Sequence, residues 1–160
     1  MAQIRPARLE DAEAIAQVIR WAWAGKVAEG SSGHQETPEK VRADLERGYG
    51  WVVEQNGKIV ATVRLVPHPV ERGVGEIKKL GVLPEHRKQG WGPKLMGVLE
   101  EKARALGIRE LRLAVRHDQP RLVEWYAQFG FVHDPHLRYS SPNPLTPLPF
   151  VMRKTMEVIL

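Results

Sequence analysis

The sequence predicts an α/β domain in which helices cover both faces of a mixed β-sheet. Two observations support this prediction. First, candidate strands and helices follow one another along the chain in the order βααβββαβαββ. Second, a helical pattern separates the candidate strands at Gly75–Leu83 and Glu110–Arg116, and a helical crossover of this kind joins parallel strands. We therefore expect one parallel strand pair within a mixed sheet.

The first third of the chain is predicted to form one strand and two helices. Ile4–Ala7 is a short strand candidate, and Leu9–Trp23 carries apolar residues at helical spacing. The glycine- and serine-rich stretch Gly25–Thr37 is predicted to be a loop. Thr37 is followed directly by a proline, which is typical of an N-cap and the first helical position. This second helix should end near Gly48.

A β-hairpin is predicted next. The β-rich runs Trp51–Glu54 and Ile59–Val66 are separated by Asn56-Gly57, and this dipeptide is the strongest short-range hairpin signal. A loop at Pro67–Gly73 follows, and then comes the strand candidate of the crossover. The hairpin makes its own two strands antiparallel.

The second half of the chain alternates helices and strands. Gly92–Leu106 has an apolar face and a glycine directly after it, so we predict a helix that ends there. The strand candidate Glu110–Arg116 alternates apolar and polar residues. Gln119–Phe129 is predicted to be a short helix. The last strand candidates are Phe131–Tyr139 and Pro149–Glu157, with a proline-rich loop between them.

Composition is that of an ordinary globular protein. The 160 residues suit one domain over positions 1–160, and 42% hydrophobic and 27% charged residues are average fractions. The apolar runs are too short to span a bilayer, and the N-terminus has no apolar segment typical of a secretory signal. Cysteine is absent, which excludes disulfides, zinc–thiolate sites and cysteine nucleophiles and is compatible with the cytoplasmic location that we expect.

The basic excess is small. Lys and Arg outnumber Asp and Glu by 24 to 19, which gives a net charge of +5. This charge suits an anionic ligand and weak nucleic-acid binding equally well. A nucleic-acid-binding domain would be expected to cluster basic and stacking aromatic side chains on one strand face, and the sequence shows no such pattern. We therefore expect neither nucleic acid nor a membrane as a partner.

Residues 87–92, RKQGWG, lie between a predicted strand and a predicted helix. They lack the third glycine of the dinucleotide fingerprint, and no P-loop pattern is present. They match R-x-x-G-x-G through Arg87, Gly90 and Gly92. In such a loop, glycines let the backbone approach a phosphate, and N–H groups at the helix start point toward it. For the hexamer alone, the alternative is a tight turn with solvated basic residues.

Two longer stretches resemble the motifs of one family. Residues 80–92, LGVLPEHRKQGWG, are similar to L-x-V-x-P-x-x-R-x-x-G-x-G, the acyl-CoA-binding signature of the GNAT superfamily of N-acetyltransferases. Residues 124–131, EWYAQFGF, resemble the Y-x-x-x-G-F ending of that family. The resemblance runs from about residue 3 to residue 156. It implies one GNAT-like acetyltransferase domain with a mostly antiparallel sheet and one central parallel strand pair.

The resemblance implies an acetyl-CoA site along the signature strand Gly75–Leu83 and the turn that follows it. Leu80, Gly81 and Val82 would pair with the pantetheine arm, and an amide at about Val82 would polarise the thioester carbonyl. Core packing of the Leu80 and Val82 side chains is compatible with that role. The loop after the strand would hold the pyrophosphate. Its implied cofactor-binding residues are Arg87, Lys88, Gln89, Gly90, Trp91, Gly92, Pro93 and Lys94.

Gln119 departs from the family pattern. It stands where family members usually carry an asparagine near the start of the penultimate helix, where that side chain contacts the CoA arm. Glutamine is longer and is a poorer helix cap. We keep Gln119 as a cofactor-binding candidate, and the departure leaves its contact open.

Two residues match the catalytic positions of the family. Tyr126 would be the general acid, because a phenol of pKa about 10 suits a departing thiolate of pKa about 8.5 or above. The alternative is a half-buried tyrosine that packs beside Phe129.

Glu76 matches a glutamate that acts in some members as a base through water, and an alkyl amine of pKa about 10.4 needs a base at neutral pH. The alternative is a solvated charge beside Lys78 and Lys79.

The acceptor site and a metal site are less defined. The resemblance implies that the acceptor lies between the segments Trp23–Thr37 and His136–Phe150. The first segment holds Glu29, His34 and Glu36, which could bind a cationic amine or could be solvated loop charges.

We expect no metal, because a proline interrupts the sequence HDPH at residues 133–136 and no third ligand is evident.

The sequence thus predicts an enzyme that moves an acetyl group from acetyl-CoA to a primary amine of a small molecule or peptide. Because there is no cysteine to carry the acetyl group, the amine would attack directly in a ternary complex. The alternative is a GNAT-like module that binds acyl-CoA without turnover. Tyr126 favours the enzyme, and Gln119 leaves room for the module. The oligomeric state is open, with a homodimer as one option.

Overall fold

The computed structural model of the protein describes residues 1–24, 36–140 and 146–157. Its strands are β1 (Ala2–Pro6), β2 (Tyr49–Gln55), β3 (Lys58–Pro67), β4 (Val74–Val82), β5 (Glu110–Val115), β6 (Val132–His133) and β7 (Phe150–Thr155). Its helices are α1 (Ala12–Trp23), α2 (Pro38–Arg47), α3 (Trp91–Ala105) and α4 (Arg121–Ala127). The predicted order of strands and helices is confirmed.

The described strands form one sheet in the order β1-β2-β3-β4-β5-β7-β6. Each neighbouring pair is antiparallel except β4 and β5, which are parallel. The parallel pair results from the crossover through α3, as the sequence predicts. The α/β class, with a mostly antiparallel sheet and one central parallel pair, is therefore confirmed.

Local sequence signals explain most of the element boundaries. Asn56 and Gly57 have φ angles of 53° and 78°, as a type I′ turn requires, and they join β2 to β3. The Thr37 hydroxyl accepts a hydrogen bond of 3.2 Å from the Lys40 backbone N–H, so α2 begins at the predicted cap. Gly107 follows α3 with a φ angle of 74°, which is the left-handed conformation of a helix C-terminus.

Two predicted elements differ from those observed. The first predicted helix starts with a separate 3-10 turn at Leu9–Asp11 before α1 begins. The predicted strand Phe131–Tyr139 is wrong in length, because β6 has only two residues. The carboxylate of Asp134 accepts a hydrogen bond of 2.9 Å from the His136 N–H, which forms a turn, and Pro135 has no N–H for the ladder. The predicted loop at residues 25–35 lies outside the described residues.

Helices cover both faces of the sheet. On one face, called here the α1–α2 face, α1 and α2 pack against each other and against β3. A Cβ atom on Gly81 would lie 2.8 Å from Ile19 of α1. On the other face, a Cβ atom on Gly75 would lie 3.0 Å from Ile108, which follows α3. Fully buried core residues include Ile15, Ile19, Val63, Leu65, Leu95, Leu99, Leu111 and Phe131.

The helices of the described ranges are too short or too polar to cross a lipid bilayer.

Candidate active site

The parallel strands β4 and β5 are paired over only three residues each. The pairs are Val74 with Glu110, Gly75 with Leu111, and Glu76 with Arg112. Beyond Glu76, β4 remains paired with β3 as far as Val82, and β5 remains paired with β7 as far as Val115. The two strands therefore separate toward their C-terminal ends. We call the opening between them the sheet gap.

A β-bulge in β4 lies at the sheet gap. Thr62 of β3 is opposite Gly81, and Arg64 is opposite Lys78, so β4 has one extra residue between these two pairs. Lys79 lies in this bulge and has a φ angle of 56°, which is uncommon for a residue other than glycine. The extra residue shifts the alternation of side chains along β4. Side chains of β4 after the bulge therefore point to the opposite face of the sheet from the one that an uninterrupted strand would give them.

Backbone groups of β4 point into the sheet gap. The N–H of Leu83 donates a hydrogen bond of 2.9 Å to the carbonyl oxygen of Val60, so it points toward β3. Because successive N–H groups of a strand point to opposite edges, those of Leu80 and Val82 point away from β3. Their side chains are half-buried and pack against the core. The side chains of these two residues therefore pack against the core, while their N–H groups point toward the sheet gap.

The predicted phosphate loop leads from β4 into α3. A 3-10 turn at Pro84–His86 comes first. Lys88 and Gly90 then have φ angles of 67° and 80°, and left-handed residues of this kind turn successive N–H groups toward one side, where an anion can bind. A Cβ atom on Gly90 would have no neighbour within 4 Å. The loop therefore presents open backbone directly before the N-terminus of α3, which begins at Trp91.

The side chains of this loop have different surroundings. The Nη2 atom of Arg87 donates a hydrogen bond of 2.5 Å to the carbonyl oxygen of Ala22 in α1. Burial lowers the pKa of Arg87, and a nearby arginine adds to that effect. The Nε1 atom of Trp91 donates to Gln89 at 3.0 Å, and the Nζ atom of Lys94 lies 4.8 Å from the Trp91 ring centre. Arg87 thus fastens the loop to α1, while Lys94 stays beside the helix start.

Gly92 connects the loop to α4. A Cβ atom on Gly92 would lie 3.2 Å from the ring of Trp125, which is tighter than an ordinary contact. Gly90 is therefore required for its φ angle, whereas Gly92 is required for a close approach. The side chains of Lys88 and Pro93 are exposed.

Tyr126 of α4 is half-buried among aromatic rings. Its ring centre lies 4.9 Å from that of Trp125 and 6.1 Å from that of Phe131. Burial raises the pKa of its hydroxyl above the ordinary value, so the phenol is protonated at neutral pH. Burial also raises the pKa of Tyr139, and Tyr126 is close enough to contribute to that shift.

The segment after β6 crosses β4 beside the bulge. The hydroxyl of Tyr139 donates a hydrogen bond of 3.1 Å to the carbonyl oxygen of Ile77. Ser140 holds both oxygens of Glu76, with its hydroxyl donating to Oε1 and its N–H donating to Oε2 at 3.4 Å. Glu76 is 1% exposed, so the alternative of a solvated surface charge is wrong. Sequence reasoning missed Tyr139 and Ser140, because no motif marks them.

A buried ion cluster lies on the α1–α2 face beside β4. Arg64 is 1% exposed, and it donates hydrogen bonds of 2.6 Å to Glu36 and 3.0 Å to Asp44. Glu36, predicted as a loop acid of the acceptor site, is thus paired inside the protein. The other two candidates of that segment, Glu29 and His34, lie outside the described residues. The one available signal for this cluster was an arginine in the apolar run of β3.

Lys79 lies near this cluster and is partly desolvated. Burial lowers its pKa to about 8. The carboxylate of Glu36 opposes this shift, whereas Arg64, Arg116 and Lys40 add to it. The bulge residue is therefore held in an environment that disfavours its positive charge.

We expect Lys79→Met to raise the free energy of unfolding at pH 7, by up to about 3 kcal/mol. The pKa of Lys79 is lowered from 10.5 in the unfolded chain to about 8 in the folded protein. Between these two values the unfolded state holds a proton that the folded state has lost, so this group makes stability rise with pH. The advantage of the variant should therefore shrink above pH 8 and vanish above pH 10.5.

Urea unfolding of both proteins at pH 7, 9 and 10 measures this difference. Lys58→Met, at an exposed lysine of the β2–β3 hairpin, is the matched control and should show no such pH dependence. A Lys79→Met protein that is less stable than the wild type at pH 7 would contradict the prediction.

Gln119 lies at the junction of β5 and α4 and is buried. Its N–H donates a hydrogen bond of 3.0 Å to the carbonyl oxygen of Arg116, and its own carbonyl accepts one of 3.0 Å from Leu122. Its backbone thus forms the turn that starts α4. Of the candidate residues, those of β4 and of the loop at 87–94 border the sheet gap. Tyr126 lies on α4, which follows this turn, and Tyr139 is bonded to β4.

Among the residues that the structure describes, no group of three or more His, Cys, Asp and Glu side chains is arranged to hold a metal ion.

Comparisons with known proteins agree with this architecture. An amino-acid acetyltransferase of Ralstonia nicotianae is 33% identical over 132 residues, which are 81% of this chain and 26% of the relative. The chain therefore spans about a quarter of the length of that relative. A GNAT-family acetyltransferase structure from Staphylococcus aureus superposes with a TM-score of 0.79 at 17% identity, covering 98% of this chain and 100% of that one.

A second solved structure is an N-acetylglutamate synthase from Neisseria gonorrhoeae in complex with coenzyme A and N-acetyl-glutamate. It superposes with a TM-score of 0.75 at 21% identity and covers 98% of this chain and 35% of that one. At these identities both structures establish the fold alone. The family model described as Acetyltransferase (GNAT) family matches residues 15–131. The chain therefore belongs to the GNAT family of acetyltransferases.

Proposed function

We propose that this protein is an N-acetyltransferase that moves the acetyl group of acetyl-CoA to a primary amine by direct attack in a ternary complex. The sheet gap is the observation that carries the proposal. It exposes the N–H groups of Leu80 and Val82 on one strand edge, and it leads to a loop with left-handed residues before α3. A similar fold holds coenzyme A in the gonococcal synthase, which supports this assignment of the donor.

The acyl donor would contact mainly backbone. The pantetheine arm would lie along β4 and pair with Leu80 and Val82 as an added strand does. The pyrophosphate would be bound by N–H groups of the loop between Lys88 and Gly92. Arg87 would act by holding this loop against α1, because its guanidinium is bonded to Ala22.

The chemical step would need an acid and a base. The amine nitrogen attacks the thioester carbon, a C–N bond forms, and the carbonyl oxygen becomes an oxyanion near the Val82 N–H. Collapse of this intermediate breaks the C–S bond, and the departing thiolate takes the phenolic proton of Tyr126. The nitrogen loses its extra proton to Glu76, directly or through a water molecule. Glu76 and Tyr126 then return to their starting states by exchange with solvent.

The surroundings of Glu76 and Tyr126 suit these roles. Ser140 fixes the orientation of the Glu76 carboxylate through both oxygens. Burial raises the pKa of the Tyr126 hydroxyl, so the phenol is present in its protonated form at neutral pH. The same shift makes it a weaker acid toward a thiolate, so its proton would move as negative charge develops on the departing sulfur rather than before. Because an amine of pKa about 10 is almost fully protonated at neutral pH, a fixed carboxylate near its path would assist attack.

Amino acids are the first acceptors to test. The curated relative from Ralstonia nicotianae is named an amino-acid acetyltransferase. Since this chain spans only about a quarter of that relative, the acceptor does not follow from the likeness and is part of the proposal.

Thiol release from acetyl-CoA with a panel of amino acids, polyamines and peptide amines tests the function. We expect release with at least one class of amine. Acetyl-CoA binding without release by any acceptor would contradict turnover and favour the non-catalytic acyl-CoA-binding module.

Gly92→Glu tests the donor site. The new carboxylate would meet Trp125 and would face the phosphates, so we expect the Kd of acetyl-CoA, measured by calorimetry, to rise at least about tenfold. Gly97→Glu is the matched control, because it lies in the same helix and a Cβ atom there has no neighbour within 4 Å. Unchanged affinity in a folded Gly92→Glu protein would show that the loop does not hold the pyrophosphate.

A further inference from the structure

Positive charges gather beside the bulge on the α1–α2 face. Arg64 and Arg116 are each close enough to Lys79 to disfavour its charge. Glu36 is the acid that opposes this effect on Lys79 within the described part of the chain. Glu36 and Asp44 are already bonded to Arg64, and Asp118 is paired with Arg116. We call Arg64, Lys79 and Arg116 the basic cluster. Lys79 and Arg116 come from the bulge of β4 and from the position directly after β5, on the two strands that border the sheet gap, and Arg64 comes from β3 next to β4.

Two members of the basic cluster have unused hydrogen-bond donors. Arg64 uses Nε and Nη2 in its ion pairs, but its Nη1 atom has no hydrogen-bond partner in the described residues although the side chain is 1% exposed. The Nε atom of Arg116 is also buried without a partner there, and the nearest carboxylate oxygen, of Asp118, is 3.6 Å away. Buried donors left without partners destabilise a protein.

Unpartnered buried donors of this kind lower the stability of the fold. Departures from full hydrogen bonding are expected at functional sites, where a ligand can complete the arrangement. A single anion could accept hydrogen bonds from the unused donors of Arg64 and Arg116 and would bring a negative charge beside Lys79. A carboxylate has the charge and the acceptor oxygens for this role.

The cluster also has a suitable position. Glu76 lies three residues before the bulge residue Lys79 on β4, and it lies on the same face as Arg64. In the proposed reaction the amine approaches Glu76. An anionic group of the same acceptor would then be near the basic cluster, whereas a polyamine would bring a second positive charge there.

We infer that the basic cluster of Arg64, Lys79 and Arg116 binds a carboxylate of the acceptor, so that the acceptor is an amino acid rather than a polyamine. This inference rests on the proposed function for the identity of the acceptor. The carboxylate would orient the amine toward the thioester and would contribute to specificity without taking part in the chemical step. Lys79 and Arg116 are therefore positioning residues.

The kinetic test compares amino acids with analogues that lack one carboxylate. The α-amides replace the α-carboxylate, and glutamine in place of glutamate replaces the side-chain carboxylate. The ratio of kcat/KM for the acid to that for its amide is compared between proteins, so intrinsic differences in amine reactivity cancel. We expect Lys79→Met and Arg116→Gln each to lower this ratio about 10- to 100-fold. Lys79→Arg, which keeps the charge, should recover part of the loss.

The binding test needs no turnover. Calorimetry measures N-acetylglycine and N-acetylglycinamide on the wild-type protein saturated with coenzyme A. We expect the acid to bind more tightly than the amide, and Lys79→Met to weaken binding of the acid at least about tenfold. Lys58→Met, at an exposed site, should leave both affinities unchanged.

The outcomes separate the two proposals. Equal binding of acid and amide, or acid binding that is insensitive to Lys79→Met, would overturn the carboxylate site. Carboxylate-dependent binding without turnover of any amine would support the site and contradict the proposed reaction. Because Lys79→Met is expected to be more stable than the wild type, loss of folding does not confuse the result.

Discussion

Replacing Tyr126 by phenylalanine is expected to lower kcat by about 10²- to 10⁴-fold. The change removes one hydroxyl and keeps the ring that packs against Trp125 and Phe131. Without the phenolic proton, the thiolate must leave unprotonated or wait for a proton from water. Because the proposed role of the hydroxyl begins only as the C–S bond breaks, the Kd of acetyl-CoA should change little. Thiol release and calorimetry measure the two effects separately.

Tyr139→Phe is the matched control for this prediction. It removes a hydroxyl from another half-buried tyrosine, which donates a hydrogen bond to the carbonyl oxygen of Ile77 and has no assigned proton transfer. We expect its effect on kcat to be less than about tenfold, with some loss of stability. If the kcat of Tyr126→Phe is within about twofold of the wild-type value, the general-acid role is wrong and Tyr126 serves only in packing.

Replacing Arg64 by leucine is expected to lower the free energy of unfolding by about 3–5 kcal/mol. The guanidinium bonds Glu36 and Asp44 inside the protein, and the change leaves both carboxylates buried beside an apolar side chain. Transfer of an unpaired charge from water is strongly unfavourable. Urea unfolding at pH 7 measures the loss. Arg42→Leu, at an exposed position of α2, is the control and should change stability by less than about 0.5 kcal/mol.

A second variant shows whether the loss comes from the unpaired charges. Combining Arg64→Leu with Glu36→Leu and Asp44→Leu removes the charges together, and buried ion clusters replaced in full by apolar residues often lose little stability. We therefore expect this protein to be more stable than Arg64→Leu alone. If the combined variant is the less stable of the two, cavity formation at Arg64 and not its charge pairing determines the loss.

Local signals predicted the elements that border the active site. Asn56-Gly57 and Thr37 act through turn and cap geometry that involves only a few neighbouring residues, so their effects are visible in the sequence. The glycines at 90 and 92 were also found from a short pattern. Their separate reasons, an unusual φ angle for Gly90 and contact with Trp125 for Gly92, became clear only in three dimensions.

Other features of the site have no local signal. Lys79 occurs in a run that reads as a regular strand, and its bulge depends on the register between β3 and β4. The strand predicted at Phe131–Tyr139 failed because the Asp134 turn and the contacts of Tyr139 and Ser140 with β4 override strand propensity. Such contacts join residues more than 60 positions apart, so no short window contains them.

By itself, the sequence determined the order of strands and helices, the hairpin, the phosphate-loop candidate and the resemblance to the GNAT superfamily. These depend on side-chain periodicity, on turn and cap chemistry, and on motifs within about a dozen residues. The tertiary structure alone decided where β4 and β5 separate, which charges are buried and which segment holds Glu76. The reason is that strand register, desolvation and pairing of charges are set by residues far apart in the chain, and they exist only after the sheet has formed.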